Sequence, residues 1–223
     1  MRRFILWSLV LLLPLMVSCS PSPRAAVARG CADAEAACLQ GKATVLMNTS
    51  RGEITIEVDG DAAPLTAGNF VDLVRRGTYD GTMFHRVVRE PVPFVVQGGD
   101  PQSSDRSVPL SQLGTGSFVD PDNGVARMIP LELSFQGEDA PRYSRVSSNP
   151  SELQDLVLTH ERGAVAMARS QAPDSASAQF YIALRPLPEL DGRYAVFGRV
   201  VKGLDLVDTI EQGDRIQTAR LSD

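Results

Sequence analysis

The 223-residue chain is 43% hydrophobic, enough to bury one sizeable core, and nothing in its composition requires a second domain. Its formal net charge of −5 is mild and spread along the chain. It lacks the Lys/Arg clusters that a phosphate backbone attracts, so nucleic acid is not an expected partner.

At the N-terminus, Arg2 and Arg3 precede an apolar run over residues 4–17, and small Ser18 stands just before Cys19. This is the pattern of a secretory leader, 1–18, and its apolar run falls short of the ~20 residues that span a bilayer. Met16-Val17-Ser18-Cys19 also resembles the bacterial lipobox, with Met16 where Leu is preferred, which makes Cys19 the expected lipidation site. Cleavage there removes two arginines and no acid, so the net charge of −5 becomes −7. Residues 20–30 are rich in Ser, Pro, Ala and Arg without apolar periodicity, the composition of a flexible tether. Segment 19–42 is therefore expected to hold a folded domain, 43–223, outside the cytoplasm. The lipid on Cys19 would anchor it to a bacterial membrane, on the periplasmic side or at the cell surface.

Cys31 and Cys38 are the remaining cysteines, and an oxidising compartment favours a bridge between them. The intervening Ala-Asp-Ala-Glu-Ala-Ala favours helix, and seven helical residues separate Cα atoms by ~10.5 Å, beyond the ~7 Å reach of a disulfide. Bridge and helix exclude each other, and the sequence leaves both open. Two cysteines without nearby histidines make an incomplete ligand set, so no metal is expected.

From residue 43 the pattern is that of a compact β-rich domain. Residues 43–48 and 53–58 alternate or are β-branched around Thr49-Ser50-Arg51-Gly52, which predicts a hairpin. A helix is predicted over 61–76, opened by Pro64 and ended by Gly77, with Leu65, Phe70, Leu73 and Val74 on its apolar face. Strands follow at 83–88 and 94–97, the second stopped by Gly98-Gly99-Asp100-Pro101. Residues 102–162 are irregular, with one helical turn expected near 151–158 and Ser151 as its cap. A stretch of that length is either functional or mobile. Strands return at 164–167, 180–184, 195–201 and 215–221, with a short helix at 204–210. Many short strands with few helices suggest a closed barrel.

Familiar catalytic chemistry finds little support. Only His85 and His160 could serve as the usual base, and there is no G-x-S-x-G elbow, H-E-x-x-H pair or phosphate loop. Gly98-Gly99-Asp100 imitates a phosphate turn, but no helix opens after it.

Four ordered blocks are more informative: residues 84–88 (F-H-R-V-V), 94–100 (F-V-V-Q-G-G-D), 179–182 (Q-F-Y-I) and 190–198 (L-D-G-R-Y-A-V-F-G), with 163–168 before the third. Together they resemble the cyclophilin family of peptidyl-prolyl cis/trans isomerases, over residues 43–221. The resemblance implies a mainly β fold, a closed eight-stranded antiparallel barrel capped by two α-helices, with an active groove on its outer face. It implies catalytic roles for Arg86, Phe94 and Gln97, and substrate contacts from Val95, Ala168, Arg169, Gln179, Tyr181, Leu190 and Tyr194. Phe94, Val95, Tyr181 and Leu190 would line a proline pocket.

The departures from the pattern are Val95 for methionine, Arg169 for asparagine, Tyr181 for phenylalanine, Glu189 for tryptophan and Tyr194 for histidine. Glu189 lacks the indole N–H that contacts cyclosporin in the family. Gly114-Thr115-Gly116 and Ile129-Pro130-Leu131-Glu132 resemble fragments of the family's corresponding stretch.

An X–Pro bond turns slowly because rotation breaks amide conjugation, and no covalent bond need be made. A fixed cation beside an apolar pocket is therefore a sufficient site, and no cofactor is expected. The expected partners are proline-containing polypeptides and the membrane, and the expected state is a monomer. Two function classes follow: an isomerase acting on exported proteins, or a lipoprotein that binds proline segments with little turnover. Arg86 and Phe94 taken singly would be an ordinary surface cation and core aromatic. His85 is expected to be structural, held by hydrogen bonds, and His160 to be a solvated loop residue.

Overall fold

The structure is a computed structural model that describes residues 30–31 and 38–222. The leader, Cys19 and residues 32–37 lie outside the described residues. Among the described residues no helix is long and apolar enough to cross a membrane.

Alternating apolar residues make the first hairpin. β1 (Lys42–Thr49) and β2 (Gly52–Asp59) pair along their whole length, from Lys42 opposite Asp59 to Thr49 opposite Gly52. Val45 and Met47 on one strand, and Ile54, Ile56 and Val58 on the other, are fully buried on the face that period-2 alternation directs inward. The other strands of the main sheet are β3 (Arg86–Val88), β4 (Val95–Gly98), β7 (Ala164–Met167), β8 (Phe180–Ala183), β9 (Val196–Lys202) and β10 (Ile216–Leu221). β5 (Glu132–Leu133) and β6 (Arg142–Tyr143) form a separate small ladder.

The eight main strands form one antiparallel sheet in the order β10-β1-β2-β9-β7-β8-β4-β3. The ladder ends at β10 and β3, so closure is looser than a full barrel. A short seam completes it: Met83 bridges Arg215, Phe84 N–H donates to Asp214 O at 2.8 Å, and Ile216 N–H donates to Thr82 O at 2.8 Å.

One long helix, α1 (Pro64–Arg75), plugs this curled sheet, while α2 (Pro150–Leu153) and α3 (Leu204–Val207) are single turns. The expected two-helix cap is thus one helix and two short turns. Phe70 on α1 meets Tyr79, Phe180 and Phe197 with ring centroids 4.9–5.4 Å apart, the aromatic centre of the core. Pro64 opens α1 as expected, yet Ala63 offers no side-chain cap. Glu132 replaces it from far along the chain, accepting from Leu65 N–H at 3.0 Å and Thr66 N–H at 2.7 Å. The cap of α2 is Asn149, whose side chain accepts from Ser151 N–H at 3.1 Å, and not Ser151 itself.

Residues 102–162 are tied down at several points. Arg127, 2% exposed, pairs with Asp72 on α1 at 2.6 Å and with Asp120 at 3.5 Å, its guanidinium 4.7 Å from the Phe118 ring centroid. Cys31 and Cys38 are bridged, with Cα atoms 5.7 Å apart, within the reach of a disulfide. Leu39 N–H donates to Pro64 O at 2.9 Å, which holds the chain after the bridge against the start of α1.

Candidate active site

The outer face of the sheet carries the site. Because side chains alternate, β4 sends Val96 into the core and turns Val95 and Gln97 outward, while β8 sends Phe180 and Ile182 in and Tyr181 and Ala183 out. Register then sets neighbours: Arg86 on β3 lies opposite Gln97, Gln97 opposite Tyr181, and Tyr181 opposite Ala166 on β7. Residues expected from three separate blocks meet through this pairing.

Val95, Ala164, Ala166, Tyr181, Ala183, Leu187 and Val196 form one apolar cluster on this face. Phe94, Ala168, Leu190 and Tyr194 pack against it, each only partly buried. Small residues on β7 and β8 thus lie under larger, partly exposed rim residues. The result is an apolar patch beside an exposed cation.

A polar chain runs along its edge. Arg86 donates to Gln97 Oε1 at 3.3 Å, a long bond, and its guanidinium sits 6.0 Å from the Phe94 ring centroid. Gln97 Nε2 donates to Gln179 Oε1 at 3.2 Å, and Gln179 Nε2 donates to Gly116 O at 2.8 Å. Each glutamine thereby orients the next group, and Arg86 keeps most of its donors free.

Next to this chain lies a groove of about 340 Å³, lined among others by Gln97, Gly116, Ser117, Met128, Ala168 and Gln179. Residues 114–117 reach it because Asp100, fully buried, accepts from Gly114 N–H at 2.6 Å and Gly116 N–H at 3.2 Å. A Cβ at Gly116 would stand 2.0 Å from Asp100 Oδ1, so only glycine fits there. Gly99, at φ +79°, makes the turn that presents Asp100. The Gly-Gly-Asp block is thus a device for holding a wall of the groove.

Arg169 does not project into the groove with free donors. Its guanidinium donates to the carbonyls of Arg193, Ser170 and Gln171 and lies 4.8 Å from the Tyr194 ring centroid. It braces two loops of the site. Glu189 is exposed and paired with Arg185 at 2.7 Å, and Arg185 also donates to Pro93 O at 3.0 Å, beside Phe94.

Both histidines differ from expectation. His85 is buried, 7% exposed, but neither ring nitrogen meets a protein partner in hydrogen-bonding geometry. Desolvation pushes its imidazole pKa down; Asp100, the Met83 backbone and Gln179 oppose the shift without closing a well-formed bond. His160 is not solvated at all. Its side chain is 0% exposed, with Nδ1 2.7 Å from Asp191 Oδ1 and Nε2 2.8 Å from the Tyr181 hydroxyl. Its place before Gly163 carried no local signal of burial, because the groups that cover it come from β8 and from residues 187–191.

An apolar patch beside an exposed cation, on the outer face of a curled eight-stranded antiparallel sheet, is what the fold and its register assemble. The chain belongs to the cyclophilin type peptidyl-prolyl cis-trans isomerase/CLD family, which it matches over residues 44–223. It is 39% identical over 193 residues to a putative thylakoid lumen peptidyl-prolyl cis-trans isomerase of Synechocystis, covering 82% of this chain and 48% of the relative. It is 33% identical over 176 residues to a probable peptidyl-prolyl cis-trans isomerase of Brucella abortus, covering 78% of this chain and 74% of that protein. The chain thus spans about half the length of the Synechocystis relative. In fold it is similar to a Cryptosporidium parvum cyclophilin type peptidyl-prolyl cis-trans isomerase crystallised in the presence of the dipeptide Ala-Pro. That match has a TM-score of 0.59, 23% identity, and covers 81% of this chain and 99% of the other.

Proposed function

We propose that the chain is a peptidyl-prolyl cis/trans isomerase that acts on X–Pro bonds of exported proteins. The observation that carries this reading is the placement of the Arg86 guanidinium, steadied by Gln97, at the rim of the apolar patch of Phe94, Val95, Tyr181 and Leu190. The patch holds the prolyl ring while the preceding carbonyl turns. Arg86, permanently charged, donates a hydrogen bond toward the prolyl nitrogen, which gains a lone pair as conjugation breaks. Gln97 and Gln179 keep Arg86 and the peptide backbone aligned. No nucleophile takes part, since only a torsion changes.

A position outside the cytoplasm and a lipid on Cys19 belong to the same reading. Its supports are the leader and lipobox pattern, the Cys31–Cys38 bridge, which suits an oxidising compartment, and the relative named as a lumen protein. Intact mass measurement on membrane-extracted protein tests it; an unmodified Cys19 or a retained leader refutes the anchor.

The activity is tested by proline-isomerisation kinetics of the purified full chain on an Ala-Pro-containing peptide. Acceleration of the slow cis/trans phase is expected. A chain that binds the peptide yet leaves that phase unchanged is a proline-segment scaffold instead.

A further inference from the structure

A second constellation adjoins the apolar patch, and of its members the isomerase reading uses Tyr181 alone. His160 is its hub. Leu187 N–H donates to His160 O at 2.8 Å, His160 N–H donates to Asp191 Oδ1 at 2.8 Å, and His160 Nδ1 meets the same oxygen at 2.7 Å. On its other side, Nε2 meets the Tyr181 hydroxyl at 2.8 Å, and the two rings lie nearly parallel, 10° between planes.

Proton positions follow from the partners. A carboxylate only accepts, so Nδ1 donates to Asp191; in the tautomer with its proton on Nδ1, Nε2 accepts from the Tyr181 hydroxyl. An Asp-His-hydroxyl chain of this kind invites comparison with a nucleophile. Burial argues otherwise: Tyr181 is 5% exposed, and desolvation pushes its hydroxyl pKa well above the ordinary tyrosine value, so it stays protonated and spends its proton on His160.

What the hub does is join three pieces of the pocket. Tyr181 belongs to β8, and His160 to the segment before β7. Leu187 and Asp191 bracket the 3₁₀ turn Pro188–Leu190, which supplies Leu190. Tyr194, three residues past Asp191, packs edge-on against Tyr181 with centroids 5.8 Å apart. His160 thus ties Tyr181 directly to the segment 187–191, in addition to the bonds that Arg169 makes to Arg193 O and Met167 N–H makes to Ala195 O further along. Tyr181 stands where the family commonly has phenylalanine, which has no hydroxyl to offer.

We propose that His160 is a positioning residue of this chain's proline pocket, acting through the Tyr181 hydroxyl and Asp191 to set the distance between the pocket walls. The inference rests on the isomerase reading for its substrate, and its signature is peptide affinity and not turnover.

The test uses the full chain and an Ala-Ala-Pro-Phe peptide, with Kd from titration and kcat and KM from exchange kinetics. Wild type, His160→Asn, Tyr181→Phe and the double variant complete a cycle. Asparagine keeps an amide donor toward Asp191 but loses the reach to Tyr181. Each single change is expected to raise Kd and KM about fivefold, the scale of one net hydrogen bond, with kcat within about twofold. Because both delete the same contact, the double variant should be no worse than the weaker single, far from the about 25-fold of independent effects. Unchanged Kd in the singles, multiplying effects, or a lowered melting temperature with unchanged KM would each overturn the proposal. If His160→Asn fails to fold, Tyr181→Phe decides alone: wild-type Kd overturns the proposal and a raised Kd upholds it. A wild-type chain that binds the peptide without turnover sinks the isomerase reading, and the Kd cycle still decides on His160.

Discussion

The two faces of β4, β7 and β8 share a backbone and differ in everything else. Inward, Val96, Val165, Met167, Phe180 and Ile182 are buried to 1% exposure or less against the aromatic group around Phe70. Outward, Val95, Ala164, Ala166, Tyr181 and Ala183 are also buried, but by side chains that are themselves half-buried and by loops tied with hydrogen bonds. The inner face is filled with large residues, whereas the outer face sets small strand residues beneath larger, partly exposed rim residues. A single strand can thus serve the core with every second residue and a ligand with the others. Changes on the inner face should act on stability, and changes on the outer face on chemistry.

The largest effect should come from the inner face. Phe180→Ala removes a fully buried ring that meets Phe70 at 5.4 Å and Tyr79 at 5.5 Å. A loss of ~3–5 kcal/mol is expected in urea denaturation, with kcat per folded molecule little changed. Equal loss of catalysis in the folded fraction would show that the two faces are coupled.

On the outer face the sign of the contrast reverses. Arg86→Ala should leave stability within ~0.5 kcal/mol, since the residue is exposed, and lower kcat/KM by ~10² with peptide affinity retained. Wild-type efficiency in that variant would eliminate the mechanism. Phe94→Ala removes part of the wall itself, so peptide affinity should fall about tenfold along with turnover. Calorimetric titration of both variants with one peptide separates the two outcomes.

A smaller effect is expected at the rim. Glu189, paired with Arg185, offers no indole donor, so cyclosporin should bind weakly, and Glu189→Trp should tighten it about fivefold, the scale of one hydrogen bond. Nanomolar binding to the unaltered chain would mean that another residue replaces the indole.

How much of this was legible in the sequence follows the same division. Local patterns carried the strands: the alternation around residues 43–58, the glycine stop after Gln97 and the apolar run at 164–167 all have their cause within a few residues. The blocks that resemble the family contain Arg86, Gln97 and Tyr181, which fall on β3, β4 and β8, and Gln179, which directly precedes β8; register completed their meeting. What stayed hidden depends on long-range partners. Glu132 caps α1 across 66 and 67 residues, Asn149 displaces the neighbouring Ser151, and His160 is buried by Tyr181 and Asp191, 21 and 31 residues away. The helical composition between Cys31 and Cys38 suggested a spacing that the observed bridge overrides. Arg169 was legible as a residue of the site, while its bonds to three carbonyls were not, because carbonyls leave no mark in a sequence.

His85 gives the last and smallest test, since it sits between the faces, next to Arg86 in sequence yet buried. Its folded pKa lies below the ordinary 6.5, chiefly through desolvation, with Asp100 favouring the charged form and Arg86 opposing it. The unfolded chain therefore binds a proton near pH 6.5 that the folded chain still resists. Stability is fully present above that pH and is lost as pH falls from 6.5 toward the folded value, by less than one proton taken up per molecule on unfolding. Glu132 works the other way: burial raises its carboxyl pKa, so the folded chain holds that proton the more tightly and gains stability on acidification. Comparing melting temperatures of wild type and His85→Gln between pH 7.5 and 5.5 cancels the Glu132 contribution, which both share. A shallower slope is expected for His85→Gln, and parallel curves would show that the imidazole takes up its proton as easily folded as unfolded.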